Sequence, residues 1–312
     1  PKGLGGLSVL LVRHGESANN LLYADILSPV AGKPAASEAR KQAEARWLAS
    51  RWDDPPLTEK GLKEAEDFGA VYAPRLAKAV GPSGRVRIFV SPFLRTCQTA
   101  APLVAQLGAN RCAVEVQPDI FEVGGVYTEA NGKRGGPGRS LTPAQIEQRF
   151  PGYGTSAIQS ARDAGWYTAS WESDAEARER AKRVASWLRS PALHSACGGG
   201  GNTEAWAVLV VHGHFIDLLV KALLGLEDDP AGDLPGTNSM GRAVALHTPN
   251  TAVGHLSVLQ NGSVQVHYLG RTDHLARAQS SEAPSAWKSA APLAALALGV
   301  LAGSLLSRRS SL

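Results

Sequence analysis

Short runs of valine, leucine and isoleucine recur at 7–12, 86–90, 113–116 and 206–211, each closed by polar or glycine-containing residues. Runs this short and this uniformly apolar predict strands covered on both faces. Between them the period changes to that of a helix: Leu62, Ala65, Phe68, Tyr72 and Leu76 share one face, as do Ala177, Ala181, Val184, Ala185 and Leu188. Leu94, Cys97, Ala101 and Val104 make a third stripe. Strand and helix alternate, which predicts an α/β fold with a mostly parallel central sheet and helices on both faces. Helix boundary signals agree. Thr58 is an expected N-cap, Thr142-Pro143 places proline at a first helical position, Ser173 and Glu176 have capping-box spacing, and Gly225 closes the helix begun near Phe215. Near the end, HLSVLQNGSVQVHYL alternates on both sides of Asn261-Gly262 and predicts an antiparallel hairpin at the C-terminal end of the domain.

Three segments interrupt this order. Residues 24–56 are too long for a simple strand-to-helix loop and predict an inserted helix, read as a solvated amphipathic insert in preference to a lid. Residues 124–139 are rich in glycine and carry Lys133, Arg134 and Arg139, and 197–202 (CGGGGN) read as a connector. The predicted domain therefore runs over 7–275, followed by a linker at 276–289. Residues 290–307 are apolar, flanked by Lys288 and by Arg308-Arg309. As a helix rising about 1.5 Å per residue this run spans somewhat under 30 Å, close to a hydrocarbon core. A C-terminal membrane anchor is expected there in preference to a docked helix, with the folded domain in the cytoplasm, tail-anchored to an intracellular membrane facing the cytosol.

Composition narrows the function classes. A net charge of +4 over 312 residues, with no block of like charges, gives nucleic-acid binding no electrostatic footprint. The three cysteines are far apart and show no metal-ligand spacing, which argues against a disulfide scaffold or structural zinc and for a reducing compartment. The chain begins at Pro1 and so carries no information on N-terminal targeting, and nothing in it sets an oligomeric state.

The candidate chemistry lies where strands end. The first apolar run delivers Arg13-His14-Gly15, and the last delivers His212-Gly213-His214 into a helix. Carboxyl ends of strands in open α/β sheets form the ligand crevice. A third run leads through Ser91-Pro92 to Arg95, in a first helical turn aimed back at the same edge. Two arginines and two histidines without a thiolate or carboxylate cluster suit a phosphoryl group, which guanidinium pairs with bidentately and imidazole can attack.

Four motifs in order, LVRHGESANN, PLTEKGLKEAE, SPFLRTCQTA and VVHGHFIDLLVKALLG, resemble the histidine phosphatase superfamily, the phosphoglycerate-mutase-like group, over 7–275. The resemblance implies a three-layer α/β sandwich and a covalent phosphohistidine, with a small phosphorylated substrate and neither cofactor nor metal. It makes His14 the nucleophile, its second ring nitrogen held by a backbone carbonyl, with Gly15 supplying room. Arg13, Arg95 and His212 would clamp the phosphoryl oxygens, and Asn20 would donate a further hydrogen bond, with Asn19 beside it as the alternative. Glu122, in DIFEVGG, matches the proton donor, while Asp119, Glu16 and Glu129 are other carboxylates open to that role. Two departures matter. Val123-Gly124-Gly125 follows Glu122 where mutases carry a basic residue, which favours a phosphatase, and Gly213 after His212 sets the chain apart from the two-domain acid phosphatases. A cofactor-dependent phosphoglycerate mutase and a catalytically weak phospho-ligand scaffold are the competing readings. His214 is read as supporting, and Trp166, Trp171 and Trp187 as packing; His247, His255, His267 and His274 receive no role.

Overall fold

A computed structural model describes residues 6–34, 36–130, 133–161, 165–198, 205–226 and 245–275. In chain order the elements are β1 (Gly6–Arg13), α1 (Ala18–Ile26), α2 (Glu38–Ser50), α3 (Glu59–Ala79), β2 (Val86–Val90), α4 (Leu94–Leu107) and β3 (Cys112–Val116). They continue with β4 (Tyr127–Ala130), β5 (Lys133–Pro137), α5 (Pro143–Arg149), β6 (Tyr153–Gly154), α6 (Asp174–Leu188), α7 (Pro191–Ala196), β7 (Ala205–Val211), α8 (Gly213–Leu224), β8 (Val253–Leu259) and β9 (Val264–Arg271).

Seven strands form one mixed sheet in the order β6-β3-β2-β7-β1-β8-β9. The first five run parallel, and β8 and β9 add the antiparallel pair expected around Asn261-Gly262. Alternation along β1 divides the core. Leu10 and Val12 pack with Phe68, Tyr72 and Leu103 from α3 and α4. Leu7, Val9 and Leu11 point the other way, to Ala181, Val184 and Leu219 from α6 and α8. Because both faces of β1 and β7 are covered, their apolar runs are continuous, as in buried parallel sheets. The result is a three-layer sandwich.

The third helical stripe is corrected. On α4 the buried residues are Arg95, Thr96, Cys97, Thr99, Ala100, Leu103 and Leu107, whereas Leu94, Ala101 and Val104 are half-buried. Helix α4 lies between the sheet and α3, and Gly69 of α3 lets the backbone of Pro102-Leu103 approach closely. Thr96 and Thr99 are buried on another part of α4, where the first donates to Ser91 O and the second accepts from Gly15 N, so hydrophobicity alone misplaces the buried face. Leu62 is likewise 43% exposed, while the rest of its stripe is buried. The 24–56 insert holds the end of α1 and the whole of α2, and a hairpin, β4–β5, occupies the glycine-rich 124–139 segment.

Residues 199–202 of the predicted connector, the linker 276–289 and the apolar run 290–307 lie outside the described residues. Among the described residues no helix is long and apolar enough to cross a membrane.

Candidate active site

Parallel strands bring their carboxyl ends to one edge. β1 ends at Arg13, β7 at Val211 and β2 at Val90, and the backbone N–H groups of His14 and Ser91 continue the ladder to Val211 O and Val210 O at 3.0 and 3.1 Å. His14, His212 and Ser91 are thereby fixed by the sheet itself.

The loop carrying His14 is held from outside by α3. Thr58 caps that helix, accepting from Gly61 N at 3.0 Å, and its own N–H reaches Glu16 O at 2.9 Å. Gly61 and Gly15 meet backbone to backbone: a Cβ on Gly15 would strike Gly61 O, and a Cβ on Gly61 would overlap the main chain of Glu16. The room that Gly15 supplies is thus for the approach of α3. On the other side Asn250 Nδ2 and Thr251 N both donate to His14 O, at 3.1 and 3.2 Å.

His14 is buried, and its Nδ1 lies 2.7 Å from Gly15 O. A carbonyl can only accept, so Nδ1 carries the proton and Nε2 keeps its lone pair. Burial, then the charges of Arg95 and Arg13, hold the ring well below its ordinary pKa, keeping the imidazole neutral. Its neighbour His212, with ring centroids 5.3 Å apart, is completely buried and lowered in the same direction, by burial first and Arg95 second. Arg95 Nη2 donates to His212 Nδ1 at 3.0 Å, and Nε2 on the far side of the ring meets Ser91 Oγ at 2.8 Å. A hydroxyl can donate or accept, so Ser91 suits either tautomer of His212.

Two arginines flank the pair. Arg95 sits on the first turn of α4, its guanidinium 4.1 Å from the Phe93 ring centroid, and burial brings its pKa down to about 10. Arg13 donates to Thr248 O at 2.6 Å, while its buried Nε has no partner among the described residues. An unpartnered buried donor at the mouth of a crevice is a place for an anion. Asp54 stands behind Arg95: both its oxygens accept from Leu94 N, at 3.0 and 3.2 Å, capping α4, and burial pushes its pKa up to about 7 against the opposing pull of Arg95.

Of the carboxylates named from the sequence as proton donors, the one lining the cavity is Glu122. Its Oε1 accepts from Val123 N at 2.9 Å and from Phe215 N, in the first turn of α8, at 3.3 Å. Glu122 therefore caps α8 across the fold, and no described residue bonds its Oε2. The alternatives lie elsewhere. Glu16 is bound to Thr58 and Lys60, Asp119 is exposed and does not line the cavity, and the side chain of Glu129 is outside the described part of the molecule. Positioning comes from Arg180 on α6, which is buried in a bidentate pair with Glu172 at 2.6 and 2.7 Å and donates to the carbonyls of Asp119 and Phe121, both at 2.9 Å. Its guanidinium also lies 3.5 Å from the Phe121 ring centroid.

The two asparagines divide. Asn19 uses both ends of its amide on the backbone of Trp52, at 2.9 and 3.0 Å. Asn20 engages its oxygen with Ser17 and Asn250, and its NH2 group makes no bond to a described residue. Gly124 and Gly125, both at positive φ, seat the rings of Trp171 and Tyr167. Trp166 and Trp187 are packing residues, against Phe93 and Phe89. Trp171 packs on Gly124 and Tyr127 and also lines the cavity.

That cavity, about 1060 Å³, opens over His14 and is lined by Arg13, Asn20, Arg95, Glu122 and His214 among others. His212 supports it from beneath through Arg95. Among the described residues no group of three or more His, Cys, Asp or Glu side chains is placed to hold a metal ion. Ser91, Asp54, Arg180 and Asn250 carry no mark of these roles in the sequence, because the roles arise from contacts 40 to 236 positions away along the chain, from Asp54 with Leu94 to Asn250 with His14.

A site of buried arginines around a neutral, backbone-oriented histidine at parallel strand ends belongs to proteins that handle phosphoryl groups. The model of the histidine phosphatase superfamily (branch 1) matches residues 9–241, and the chain belongs to this family. No curated protein sequence matches it significantly. Similar solved structures include the ecdysone phosphate phosphatase from Bombix mori with tungstate, 20% identical, covering 80% of this chain and 88% of that one at a TM-score of 0.47. A mycobacterial glucosyl-3-phosphoglycerate phosphatase with inorganic phosphate is 19% identical, with coverage of 86% and 98% and a TM-score of 0.45. A phosphoglycerate mutase from Bacillus anthracis is 15% identical, with coverage of 89% and 99% and a TM-score of 0.44. Likenesses at this level bear on neither substrate nor mechanism.

Proposed function

We propose that this chain is a phosphomonoester hydrolase that works through a phosphohistidine on His14. One observation carries the reading: Nδ1 of a buried, neutral His14 is tied to Gly15 O, so the Nε2 lone pair is the nucleophile, with Arg13 and Arg95 beside it. Nε2 attacks phosphorus, and the ester oxygen leaves with a proton from Glu122 Oε2. The phosphoryl oxygens are met by Arg13, Arg95 and the amide of Asn20, while His212, accepting from Arg95 at Nδ1 and donating from Nε2 to Ser91 Oγ, holds the Arg95 guanidinium in place. Water then attacks phosphorus while the Glu122 carboxylate takes its proton; the phosphorus–Nε2 bond breaks, its electron pair returns to the ring as neutral His14, and phosphate is released.

Wild-type protein quenched during turnover of a labelled phosphomonoester should carry an acid-labile, base-stable label that His14→Ala lacks. A label on serine, or turnover surviving in His14→Ala, refutes the mechanism. Incubation with 3-phosphoglycerate should yield inorganic phosphate; 2-phosphoglycerate as the main product would make the protein a mutase.

We propose further that 7–275 is the catalytic domain, 276–289 a linker and 290–307 a membrane anchor, supported by the absence of charge in that run and the basic residues on either side. Full-length protein should then resist alkaline carbonate extraction from membranes, and a truncation after Gln279 should be released. Release of the full-length chain refutes the anchor.

A further inference from the structure

The cavity is many times larger than a phosphoryl group, and its volume of about 1060 Å³ is on the scale of pockets that enclose a whole organic ligand. Four aromatic rings line its outer part: Tyr23 from α1, Trp47 from α2, Tyr127 from β4 and Trp171 from the segment before α6. They stand in two edge-on pairs, Tyr23–Trp47 at 5.9 Å and Tyr127–Trp171 at 4.5 Å between centroids. The segments are tied together. Arg51, at the end of α2, stacks on Tyr127 at 4.0 Å and donates to Tyr127 O at 2.9 Å, and the Asn19 amide joins α1 to Trp52. Walls fixed in this way are organised before a ligand arrives.

Apart from Asn20 at the phosphate centre and the rings of His214 and His247, many of the polar groups lining the cavity are already engaged. Asn19 is used on both ends, Ser17 is bonded to Asn20, Asp217 is bonded to Lys221 and to Leu246 N, and Asp53 accepts from Arg139 N. Charge points the same way. Three arginines and four carboxylates line the cavity; Arg13 and Arg95 belong to the phosphate centre, and Arg51 stands 3.6 Å from Asp53. Among the described residues, a second phosphate would find no further lysine or arginine lining the cavity.

We infer that the site takes monophosphate esters of aromatic or flat apolar alcohols, and that it disfavours sugar phosphates and substrates with a second phosphate. The inference rests on the phosphomonoesterase reading above. A flat ring can lie against the indole and phenol faces, gaining apolar contact and ring stacking. The hydroxyls of a sugar would leave water for groups whose partners are taken, which costs binding free energy.

Calorimetric titration of the full chain with non-hydrolysable phosphonates separates the possibilities. The probes are methylphosphonate, 1-naphthylmethylphosphonate, a polyol phosphonate of similar size and propane-1,3-bisphosphonate, with vanadate as the test of the phosphate centre. Naphthylmethylphosphonate should bind about tenfold to a hundredfold more tightly than methylphosphonate, with the other two within about threefold of it. That preference should shrink in Trp171→Leu, and in Trp47→Leu should the first variant fail to fold. Equal affinity of the methyl and naphthyl compounds, or tighter binding of the polyol or bisphosphonate, overturns the inference while leaving the hydrolase reading intact. Failure of vanadate and all four phosphonates to bind overturns the hydrolase reading instead.

Discussion

Glutamine at position 122 separates the two things Glu122 does. Its Oε1 accepts the N–H groups of Val123 and Phe215, and so caps α8, while Oε2, bonded to no described residue, is the proposed proton donor of a side chain that lines the cavity. Glu122→Gln keeps an acceptor at the first position and places an amide at the second, which cannot protonate a departing alkoxide. General acid catalysis contributes roughly 10²–10⁴ in rate, so kcat/KM for alkyl phosphates, whose leaving oxygen needs the proton, should fall by about that factor. For activated aryl phosphates, whose oxygen leaves as a stable anion, the loss should stay under about tenfold. Glu122→Ala adds a second effect, since it also leaves the two N–H groups without their acceptor; loss of a cap costs about 0.5–2 kcal/mol. Steady-state kinetics over a series of leaving groups, with thermal denaturation of both variants, gives the readout. Glu122→Gln should melt with the wild type and steepen the dependence of rate on leaving-group acidity, and Glu122→Ala should melt lower. A loss of equal size across the whole series would mean that Glu122 serves binding or capping alone, and the proton would have to come from elsewhere.

Three further outcomes are expected. His14 and His212 both titrate well below the ordinary value of 6.5 in the fold, so just under that pH the unfolded chain binds protons that the folded chain does not. Stability should be insensitive to these rings above about pH 6.5 and fall below it by up to about 1.4 kcal/mol per pH unit for each ring; urea midpoints flat between about pH 6.5 and 5.5 would contradict this, and His14→Asn should reduce the slope. Arg180→Met should destabilise by about 3–5 kcal/mol, because it strands Glu172 as a buried carboxylate. Arg180→Lys should cost less but lower kcat more than it raises KM, through the loosened Asp119–Phe121 backbone that carries Glu122; unchanged kcat in a folded Arg180→Lys protein would remove that positioning role. Gly124→Ala combines a positive φ of 92° with overlap on the Trp171 ring, and should cost about 1–3 kcal/mol and alter the indole signal in near-ultraviolet circular dichroism; a wild-type melting curve would refute it.

What could be read from the sequence was what local pattern encodes. The buried strands are legible because parallel pairing covers both their faces, so their apolar runs have no polar alternation to confuse them. Helix starts at Thr58, Thr142 and Ser173 are legible because each cap lies within three residues of the group it satisfies. His14, Arg13, Arg95 and Glu122 could be named because short motifs surround them, and the fold brings these four to one cavity. The buried face of α4 departs from its apolar stripe because Arg95, Thr96 and Thr99 are held there by bonds to His212, Ser91 O and Gly15 N, which hydrophobicity does not signal. Trp171 packs as expected, on Gly124 and Tyr127, but a tryptophan gives no sign within its own segment that it also lines the cavity. The insert likewise conceals its purpose: Arg51 acquires a role through its contact with the hairpin, 76 positions further on, and Trp47 through its contact with Tyr23.

The meeting of Gly15 with Gly61 has a bearing on how this protein can change over time. Where two side chains touch, a larger one can be offset by a smaller one opposite, and a lineage can drift through such exchanges. Here each prospective methyl group would collide with main chain, at Gly61 in one case and at Glu16 in the other. Main chain cannot be trimmed by substitution. Alanine at either position should therefore find no suppressor at the other, and a double variant should be at least as damaged as the worse single one. The two positions are joined without being able to compensate each other, so the loop that carries the nucleophile and the helix that backs it can be altered only by shifting one whole segment against the other.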